Sequence, residues 1–274
     1  MKIFITGQAG MIGFHSAKHF AKKGFEVVGV DNFNDYYDVK LKQERARILE
    51  EDYGVETIVA DIQDEKIARH NMFKDVDVVF HLAAMTSVEE SIHNPEEYHK
   101  MNVLGTLNML KACVDYDVKR FVYTSSSAVY GDAEHTPTNE YSPIIPMSPY
   151  AMNKQMGEQY CFLFSQLYGL ETVCLRYANV FGNRQRNEGA YCNVIGIFKQ
   201  QKEQGKPLTI VGDGEQTRDF INVSDVADAN IAVGFNEMVL KGATLNVGSG
   251  KSYSVNQIAE WIGGETTNIP PRIE

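Results

Sequence analysis

The sequence predicts an α/β fold, namely a doubly wound parallel Rossmann sheet with a small C-terminal α/β substrate lobe. Short runs rich in Val, Ile and Phe alternate with amphipathic helical segments, as expected of parallel strands that are covered on both faces. Glycines closely follow the first of these runs, which is typical of nucleotide-binding β-α-β units. After Tyr130 the sequence becomes a polar, proline-containing loop, and shorter strand-like runs follow it.

The first half contains five candidate strands. They are Lys2–Thr6, Glu26–Val30, Glu56–Ala60, Val76–Leu82 and Arg120–Ser125. Amphipathic periodicity predicts helices between them, including Met11–Lys22 and Glu96–Tyr116. Because right-handed crossovers join consecutive parallel strands, the carboxyl ends of these strands meet at one edge of the sheet, where ligands bind.

The second half begins with a surface loop over Gly131–Pro149. The elements predicted after it are a helix over Tyr150–Tyr168, a strand over Thr172–Arg176, a loop and then a helix within Tyr177–Lys206, strands over Leu208–Val211 and Phe220–Val223, and helices over Asp225–Met238 and Val255–Ile262. We therefore divide the chain into a Rossmann domain over residues 1–176 and a region over residues 177–274 that is mainly the substrate lobe. Some segments of that region return to the Rossmann core.

Composition excludes several classes of function. The 274 residues carry a formal charge of −10, which argues against nucleic acid or an anionic membrane surface as a partner. No apolar run approaches the roughly 20 residues that cross a bilayer, and Met1 leads directly into a strand, so no signal peptide is expected. The four cysteines show no metal-site spacing. We expect a cytoplasmic protein with reduced thiols and no metal.

The turn after the first strand has the features of a dinucleotide site. Gly7, Gly10 and Gly13 are spaced G-x-x-G-x-x-G, and glycine lets a pyrophosphate approach the backbone. Met11 and Ile12 lie in the first turn of the following helix, whose unpaired N–H groups and dipole favour an anion. Ordinary strand-to-helix turns also use glycine, but the position after the first strand favours the dinucleotide.

Asp31 ends the second strand, about 20 residues after the glycines, where a carboxylate accepts hydrogen bonds from an adenosine ribose. No arginine adjoins Asp31 in the sequence, which favours NAD over NADP. Asn32 follows Asp31, and Asp61 and Ile62 close the third strand, where they are placed to face the adenine. The alternative interpretation is that Asp31 and Asp61 are helix caps or loop residues.

Tyr150 and Lys154 are spaced i and i+4 and share one face of a predicted helix. A free phenol has a pKa near 10, and we expect the ammonium and a positive nicotinamide ring to lower that pKa, so that Tyr150 acts as a base. The run Thr124–Ser127 ends the fifth strand, where a serine can hydrogen-bond a reacting hydroxyl. Both patterns also have structural explanations, an amphipathic helix with a solvated lysine and a serine-rich turn.

Further motifs accompany these in a fixed order from residue 2 to about residue 262. They are Thr6-Gly7-x-x-Gly10-x-x-Gly13, Asp31-Asn32, Asp61-Ile62, His81-Leu82-Ala83-Ala84, Asn102-Val103-x-Gly105-Thr106, Ser125-Ser126-Ser127-Ala128-Val129-Tyr130-Gly131, Ser148-Pro149-Tyr150-x-x-x-Lys154, Leu175-Arg176-Tyr177-x-Asn179-Val180-Phe181-Gly182 and Gly212-Asp213-Gly214-Glu215-Gln216-Thr217-Arg218-Asp219-Phe220. The set resembles the extended short-chain dehydrogenase/reductase family and, within it, the NAD-dependent sugar-nucleotide (UDP-hexose) 4-epimerases.

The resemblance implies roles for these positions. Tyr150 would be the acid/base, Lys154 its electrostatic partner, and Ser126 the residue that orients the sugar hydroxyl, with Ser127 as the alternative. The implied contacts to NAD are Gly7, Gly10, Met11, Ile12, Gly13, Asp31, Asn32, Asp61, Ile62, Leu82, Ala83, Ala84, Asn102, Tyr150, Lys154 and Tyr177. The implied contacts to a UDP-sugar are Thr86, Ser126 and Ser127, together with Asn179 and Arg218 at the diphosphate and Asn193 near the uracil. A loop arginine in an acidic protein suits a diphosphate, although a surface salt bridge explains Arg218 equally well.

The resemblance also implies the reaction. Family dehydratases and decarboxylases look to carry acidic residues after the position of Ser126, where this chain has Ser127 and Ala128. The reaction that the resemblance then implies is reversible oxidation at C4 of the sugar. Tyr150 would take the C4 proton while hydride passes to NAD, and hydride would return to the opposite face of the 4-keto sugar. NAD would stay bound, with no net redox change.

Two segments point to different sugars. The segment Asp31–Lys42 resembles UDP-glucuronate 4-epimerases, whereas Tyr177–Gln185 resembles UDP-glucose and UDP-N-acetylglucosamine 4-epimerases. Uronate epimerases look to carry threonine at the position of Asn179. Because substrate-proximal residues weigh more than a cofactor-side loop, UDP-glucose or UDP-N-acetylglucosamine is favoured, and UDP-glucuronate stays open.

Two other functions remain open from the sequence. An oxidoreductase of the same fold would release NADH or reduce a keto sugar, and net cofactor turnover would distinguish it. A non-catalytic NAD-binding regulatory module would have no need of Tyr150, Lys154 and Ser126 together. The resemblance also implies a homodimer through helices Glu96–Tyr116 and Tyr150–Tyr168. Their apolar residues could equally be core, and they include Met101, Leu104, Phe162 and Leu163.

Overall fold

A computed structural model of the chain describes residues 1–133, 136–185, 192–238 and 240–270, apart from the side chain of Ala68. Its central sheet consists of β1 (Lys2–Thr6), β2 (Glu26–Asp31), β3 (Glu56–Val59), β4 (Val78–His81), β5 (Arg120–Ser126), β6 (Glu171–Tyr177) and β10 (Ala243–Val247). All neighbours are parallel, in the order β3-β2-β1-β4-β5-β6-β10. The order reverses between β1 and β4, which confirms the predicted doubly wound Rossmann sheet.

Helices cover both faces of this sheet. One face carries α1 (Met11–Lys22), α2 (Val39–Tyr53) and α8 (Val223–Gly234), and the other carries α3 (Val88–His93), α4 (Pro95–His99), α5 (Gly105–Asp115) and α6 (Pro149–Tyr168). All four residues of β4 are buried, because a strand packed on both faces has no solvent side. Of the helices in the described ranges, none combines the length and apolarity needed to cross a membrane.

The remaining elements form a smaller lobe with its own apolar core. Its strands are β7 (Asn179–Phe181), β8 (Leu208–Val211), β9 (Thr217–Asn222), β11 (Ser252–Ser254) and β12 (Thr266–Ile269), and its helices are α7 (Val194–Glu203) and α9 (Val255–Ile262). They form a sheet of order β11-β9-β7 and a pair β12-β8. Strand β10 and helix α8 lie between these elements in the sequence but belong to the Rossmann core.

Local signals fix the ends of helix α6, which carries the predicted catalytic pair. The Ser148 hydroxyl accepts a hydrogen bond from the Ala151 N–H at 3.1 Å, and Pro149 occupies the first helical position. Such a cap satisfies an N–H group that the helix cannot pair, and proline has no N–H to lose there. Gly169 ends the helix in the left-handed region, with φ of 71°. Tyr150 therefore lies in the first turn.

Several elements have the predicted bounds, and others depart from them for local reasons. The predicted helix over Glu96–Tyr116 is a continuous helix from Pro95 to Asp115, with a π-helical turn over Lys100–Leu104 between α4 and α5. The predicted strand over Phe220–Val223 ends one residue early. There the Asn222 side chain accepts the Ser224 N–H at 2.9 Å and starts α8. Helix α8 also ends at Gly234 rather than at Met238.

Sequence analysis did not name α2, α3, β7, β10, β11 or β12. The segments predicted over 131–149 and 177–206 include residues outside the described ranges.

Candidate active site

The turn between β1 and α1 brings backbone segments so close that only glycine fits. Gly7 has φ of +69°, and a Cβ there would lie 2.8 Å from the Cα of Ala83. A Cβ on Gly13 would lie 2.2 Å from the Gly7 carbonyl oxygen, and the Gly10 N–H donates to that oxygen at 3.0 Å. The N-terminus of α1 therefore faces an open cradle of backbone, which suits a pyrophosphate.

A cleft of about 550 Å³, open to solvent, extends from this cradle along the carboxyl ends of the strands. The predicted residues that line it are Gly7, Gly10, Asp31, Asn32, Ile62, Leu82, Ala83 and Ala84. Sequence analysis did not select the other lining residues, which are Val30, Asn34, Tyr36, Tyr37, Lys42, Ala60 and Met101. Four of those lie in the segment Asp31–Lys42. Spacing along the chain did not select them, because their positions depend on how the segment after Asp31 folds back over the sheet.

Asp31 is held rigidly at the end of β2. Its carboxylate accepts the Phe33 N–H at 2.9 Å and the Ala9 N–H at 3.1 Å, and the residue is 9% exposed. Burial raises the pKa of Asp31, while these backbone hydrogen bonds oppose the rise. A carboxylate in this position would accept ribose hydroxyls and repel a 2′-phosphate.

Two buried cations lie near Asp31, although neither adjoins it in the sequence. Lys42 donates to the Asn34 carbonyl at 2.7 Å, and Arg45 donates to the Ala9 carbonyl at 2.9 Å. Both come from α2, so inspection of the chain neighbours of Asp31 could not reveal them. Because Lys42 and Arg45 each donate to a backbone carbonyl, they hold the loops around Asp31 in place.

Asp61 lies two residues after the end of β3 and holds Asn32, which lines the same cleft. Its carboxylate accepts the Asn32 side-chain amide at 3.0 Å and the Gln63 N–H at 2.8 Å. It is thus a turn cap, as the alternative interpretation held, and it also positions Asn32. Ile62 lines the cleft directly.

The segment after β4 is fixed by a buried chain of hydrogen bonds. The Thr6 hydroxyl accepts the N–H groups of Leu82 and Ala83, each at 3.1 Å. Thr6 also pairs with His81 Nδ1 at 2.8 Å, and His81 Nε2 pairs with the Thr106 hydroxyl at 3.0 Å. Burial lowers the pKa of His81 to about 3. His81 is therefore a neutral structural residue that presents Leu82 and Ala83 to the cleft.

Asn102 lies in the π-helical turn and is 1% exposed. Its side chain accepts the Met85 N–H and donates to the Met85 carbonyl, both at 2.9 Å. The next residue, Thr86, donates its N–H to the Tyr36 hydroxyl at 2.9 Å. Asn102 thus clamps the segment that carries Thr86 instead of lining the cleft, and π-helical turns are frequent at such functional positions.

Tyr150, Ser126 and Lys154 come together at the carboxyl end of β5. Ser126 lies close enough to the Tyr150 phenol to lower its pKa, and the Lys154 ammonium lies 5.9 Å from the centre of the Tyr150 ring. Lys154 donates to the Thr124 carbonyl at 2.8 Å. Tyr150 and Lys154 are 7% and 3% exposed, so both groups are largely removed from water.

The pKa of Tyr150 departs from the sequence-based expectation. Burial raises this pKa to about 12, although the hydrogen bond from Ser126 opposes the rise. Burial also lowers the pKa of Lys154 to about 7. Burial therefore dominates the Tyr150 pKa in the chain by itself, and the expected lowering, which includes the charge of a nicotinamide ring, stays a prediction. The cost of removing a phenolate from water exceeds the effect of an ammonium that is not in direct contact with it.

Other predicted site residues lie apart from this group. Tyr177 is buried, and its hydroxyl donates to Asn230 at 2.6 Å, away from the cleft lining. Asn193 caps α7 by accepting the Gly196 N–H at 3.1 Å. Asn179 donates to the Asp219 carbonyl at 3.2 Å.

Four more predicted residues lie outside the cleft lining. Arg218 is exposed on β9, and Ser127 begins a short 3₁₀ turn that ends at Tyr130. Met11 and Ile12 form the first turn of α1. The structure leaves the roles of all these residues as predictions.

The arrangement fits a dinucleotide and proton chemistry. Gly7 and Gly10 line the cleft at the N-terminus of α1, and Asp31 ends the neighbouring strand, so a pyrophosphate and an adenosine ribose would have matching partners. Ser126 and Tyr150 are not among the residues that line the cleft; Ser126 ends β5, which neighbours β4 in the sheet, and the residues after β4 do line it. A phenol beside a serine hydroxyl can exchange a proton with a bound hydroxyl.

The chain is similar over most of its length to known proteins of one family. Residues 3–248 match the model of the NAD dependent epimerase/dehydratase family. The UDP-glucuronate 4-epimerase of Thermodesulfobacterium geofontis is 35% identical over 259 residues, which cover 93% of this chain and 78% of that protein.

Solved structures share the whole fold. The UDP-glucose 4-epimerase of Thermotoga maritima, solved with UDP-glucose, has a TM-score of 0.90 and 33% identity, and the match covers 100% of this chain and 87% of that one. The UDP-N-acetylglucosamine 4-epimerase of Methanobrevibacter ruminantium, solved with UDP-N-acetylmuramic acid, has a TM-score of 0.90 and 33% identity, with 99% and 86% covered.

Proposed function

The chain belongs to the NAD-dependent epimerase/dehydratase family, and from that premise we propose that it epimerises C4 of a UDP-sugar with NAD as its bound cofactor. The observation that carries the proposal is the grouping of Ser126, Tyr150 and Lys154 at the carboxyl end of β5, beside strand β4, whose following residues Leu82–Ala84 line the cleft. The protein is then an isomerase, and its catalytic residues are Ser126, Tyr150 and Lys154.

Each of these residues has a defined task. Tyr150 removes the proton from the C4 hydroxyl and returns it at the end of the turnover. Ser126 holds the sugar hydroxyl and the phenol in one hydrogen-bonded line. Lys154 stabilises the phenolate by its charge, and its pKa of about 7 leaves it partly protonated at neutral pH.

The cofactor site is assigned to the glycine cradle, Asp31 and the segment Leu82–Ala84. When bound, NAD supplies a hydride acceptor and donor, so that the sugar passes through a 4-keto form without net redox change. No carboxylate follows Ser126, because Ser127 and Ala128 occupy those positions. Elimination of water from the sugar would need such a second acid/base, and the proposal therefore excludes a dehydratase.

UDP-glucose or UDP-N-acetylglucosamine is the favoured substrate, on the grounds of Asn179. Asn179 lies on β7 and Arg218 lies on the paired strand β9, an arrangement that supports a joint role at the diphosphate. Of the two solved proteins named above, one is a UDP-glucose 4-epimerase and the other a UDP-N-acetylglucosamine 4-epimerase. UDP-glucuronate remains the alternative, because a uronate epimerase is also among the relatives and the segment Asp31–Lys42 resembles that class.

The test is incubation of the purified protein with UDP-glucose, UDP-N-acetylglucosamine and UDP-glucuronate in separate reactions without added NAD. Anomeric protons observed by NMR report the sugar produced. We expect the C4-inverted sugar to appear from one of the first two. Steady accumulation of NADH would contradict the proposal and favour an oxidoreductase of the same fold. Binding of NAD without any conversion would favour a non-catalytic module.

We also propose that the protein is a homodimer, and the exposed face of α6 supports this. Met152, Met156, Leu163 and Leu167 are between 37% and 70% exposed, and they recur at helical spacing along one face of α6. Leu104 and Phe162, which sequence analysis named for the interface, are also exposed, whereas Met101 is in the core. Exposed apolar stripes of this kind mark association surfaces.

The dimer is tested by light scattering after size exclusion. We expect a mass of about twice the 30.8 kDa of one chain. The double substitution Met152→Glu/Met156→Glu should give the mass of a single chain, because two carboxylates cannot be buried in an apolar contact. Gln166→Glu, on an exposed position of the same helix, serves as the control. A parent protein that elutes with the mass of one chain would rule out the dimer.

A further inference from the structure

A buried ion pair joins helix α6, which carries Lys154, to strand β6. Arg176 on β6 binds the Glu158 carboxylate on α6 through two hydrogen bonds, of 2.9 and 2.7 Å. The Ser125 hydroxyl donates to the same carboxylate at 2.5 Å. The Arg176 and Glu158 side chains are only 6% and 5% exposed. Because burial of two charges costs free energy even when they are paired, a pair kept in this position calls for a function.

The pair is attached to the residues that carry the proposed chemistry. Glu158 follows Lys154 by four residues, so the two side chains lie on the same face of α6. Ser125 directly precedes Ser126, and Arg176 is the register partner of Ser125 between β5 and β6. The carboxylate therefore links the strand end that holds Ser126 to the helix that holds Lys154.

The network continues on the far side of Arg176. Arg176 donates to the Tyr130 hydroxyl at 2.9 Å, and Tyr130 donates to the Asn246 side chain at 2.6 Å. Asn246 lies on β10 and donates its N–H to Glu140 at 2.8 Å. Each charge in the network thus has several partners, and a fully satisfied polar network of this kind is rigid.

The titratable groups around Lys154 show how the Glu158 carboxylate affects the pKa of the lysine. The groups that face the ammonium are Tyr150, Glu158 and Cys161 from α6, Tyr123 from β5 and His81 from β4. Among these groups Glu158 supplies the negative charge, because the tyrosines, the thiol and the buried histidine are neutral. Burial lowers the pKa of Lys154 to about 7, and the charge of Glu158 opposes a further fall.

We propose that Glu158 is the buried counter-charge that keeps Lys154 protonated, and that with Arg176 and Ser125 it fixes Ser126 relative to helix α6. Glu158 acts through Lys154 and is a positioning residue. The proposal rests on the proposed function for the role of Lys154 in the reaction, whereas the charge relation between Glu158 and Lys154 is a property of the protein alone.

The charge relation is tested by NMR titration of protein labelled with carbon-13 at the lysine Cε. The Lys154 signal is identified by its loss in Lys154→Met. We expect the midpoint near pH 7 to fall by about one unit in Glu158→Gln, since a nearby opposite charge shifts a pKa by about that much or more. Glu158→Asp, which keeps the charge, should retain a midpoint close to that of the parent.

Removal of one partner from a buried pair is costly, so the double variant Glu158→Gln/Arg176→Met is titrated as well and should also show a lowered midpoint. The control is Arg120→Met/Glu171→Gln. It removes an ion pair of 2.7 Å from the opposite ends of the same two strands, and the Lys154 midpoint should stay where it is in the parent. An unchanged midpoint in the folded Glu158→Gln/Arg176→Met variant would overturn the proposal.

The pH dependence of epimerisation gives a second readout. Because Lys154 stabilises the phenolate only when protonated, the alkaline limb of kcat should move to lower pH in the Glu158→Gln/Arg176→Met variant, by the same amount as the titration midpoint. The control pair should leave that limb unmoved. If the titration moves as expected but no UDP-sugar is converted, the proposed function fails and the charge relation stands. If sugar is converted but neither the Lys154 titration midpoint nor the alkaline limb of kcat moves, the proposed function stands and the charge relation fails.

Discussion

At the residue scale, the Tyr150 phenol is subject to opposing influences. Burial raises its pKa to about 12, and the hydrogen bond from Ser126 lowers it. At neutral pH the phenol of the chain by itself is therefore protonated. Conversion to a base depends on positive charge nearby, which Lys154 supplies at 5.9 Å from the ring centre and which the nicotinamide ring would add. Burial alone would thus leave Tyr150 as a proton donor, and the nearby positive charges allow the same phenol to act as a proton acceptor.

The substitution Tyr150→Phe tests this role. We expect epimerisation to fall by about 10²- to 10⁴-fold, because the general acid/base is lost, while the content of bound NAD stays unchanged. The rate is measured from the anomeric protons of the product, and NAD is measured after denaturation of the protein. Tyr141→Phe is the matched control, since the Tyr141 side chain is 97% exposed. Retention of more than a tenth of the parent rate in Tyr150→Phe would contradict the assignment.

The sequence reveals residues whose chemistry follows from local spacing. Gly7 and Asp31 follow strands at the expected distance, and Tyr150 and Lys154 share a helix face. The sequence does not reveal Tyr36 and Lys42 as cleft residues, because their positions depend on how a loop folds back over the sheet. Spacing along the chain carries no information about that fold.

At the element scale, a helical glycine determines how closely α6 approaches β5. A Cβ on Gly157 would lie 2.2 Å from the Tyr123 hydroxyl, and Tyr123 is 1% exposed. Glycine in a helix interior costs roughly 1 kcal/mol relative to alanine. The close approach outweighs that cost here, since it holds the strand with Ser126 next to the helix with Lys154.

The substitution Gly157→Ala should therefore destabilise the protein in spite of the better helix propensity of alanine. We expect an overpacking cost of about 1–3 kcal/mol, because a rigid buried ring opposes the new methyl group. Thermal unfolding measures the effect as a lowered Tm. Gln159→Ala, at an exposed position of the same helix, should leave Tm nearly unchanged. A higher Tm in Gly157→Ala would show that helix propensity dominates.

The elements themselves were predictable to different degrees. Strands β1 and β8 and helices α1 and α9 have the bounds that periodicity and end signals indicate. Strand β10 was not predicted, because Ala243–Val247 is only partly buried and joins the sheet through pairing with the distant strand β6. The π-helical turn at Asn102 was also missed, since it follows from the side-chain clamp on Met85 rather than from helix propensity.

At the scale of the whole molecule, His81 connects three elements through one neutral ring. Thr6, its register partner on β1, pairs with Nδ1 at 2.8 Å, and Thr106 on α5 pairs with Nε2 at 3.0 Å. The Thr106 hydroxyl donates to the Asn102 carbonyl at 2.7 Å, so it accepts the proton of Nε2. This assignment leaves Nδ1 as the acceptor from Thr6. Protonation of the ring would break that bond and place a charge in the core.

The pH dependence of stability follows from this burial. Burial lowers the folded-state pKa of His81 from 6.5 to about 3. Because the folded-state pKa is depressed, the unfolded chain binds the proton more readily. The contribution of His81 to stability is full above pH 6.5 and is lost as the pH falls from 6.5 toward 3. Over that window, one such group lowers the free energy of unfolding by up to about 1.4 kcal/mol per pH unit.

The substitution His81→Gln should flatten this dependence, because the glutamine amide can replace both hydrogen bonds but does not titrate. We expect the slope of the free energy of unfolding between about pH 6 and pH 5, measured by urea titration, to be smaller than in the parent by up to about 1 kcal/mol per pH unit. The comparison concerns the slope, so a uniform loss of stability in the variant does not affect it. His93→Gln, at an exposed position on α3, is the matched control and should keep the parent slope. Equal slopes in His81→Gln and the parent would mean that His81 is already protonated in the fold. The bond between Thr6 and His81 would then run from Nδ1–H to the threonine oxygen while Nε2–H still donates to Thr106, and the segment that forms the floor of the cleft would be held by a charge rather than by a neutral ring.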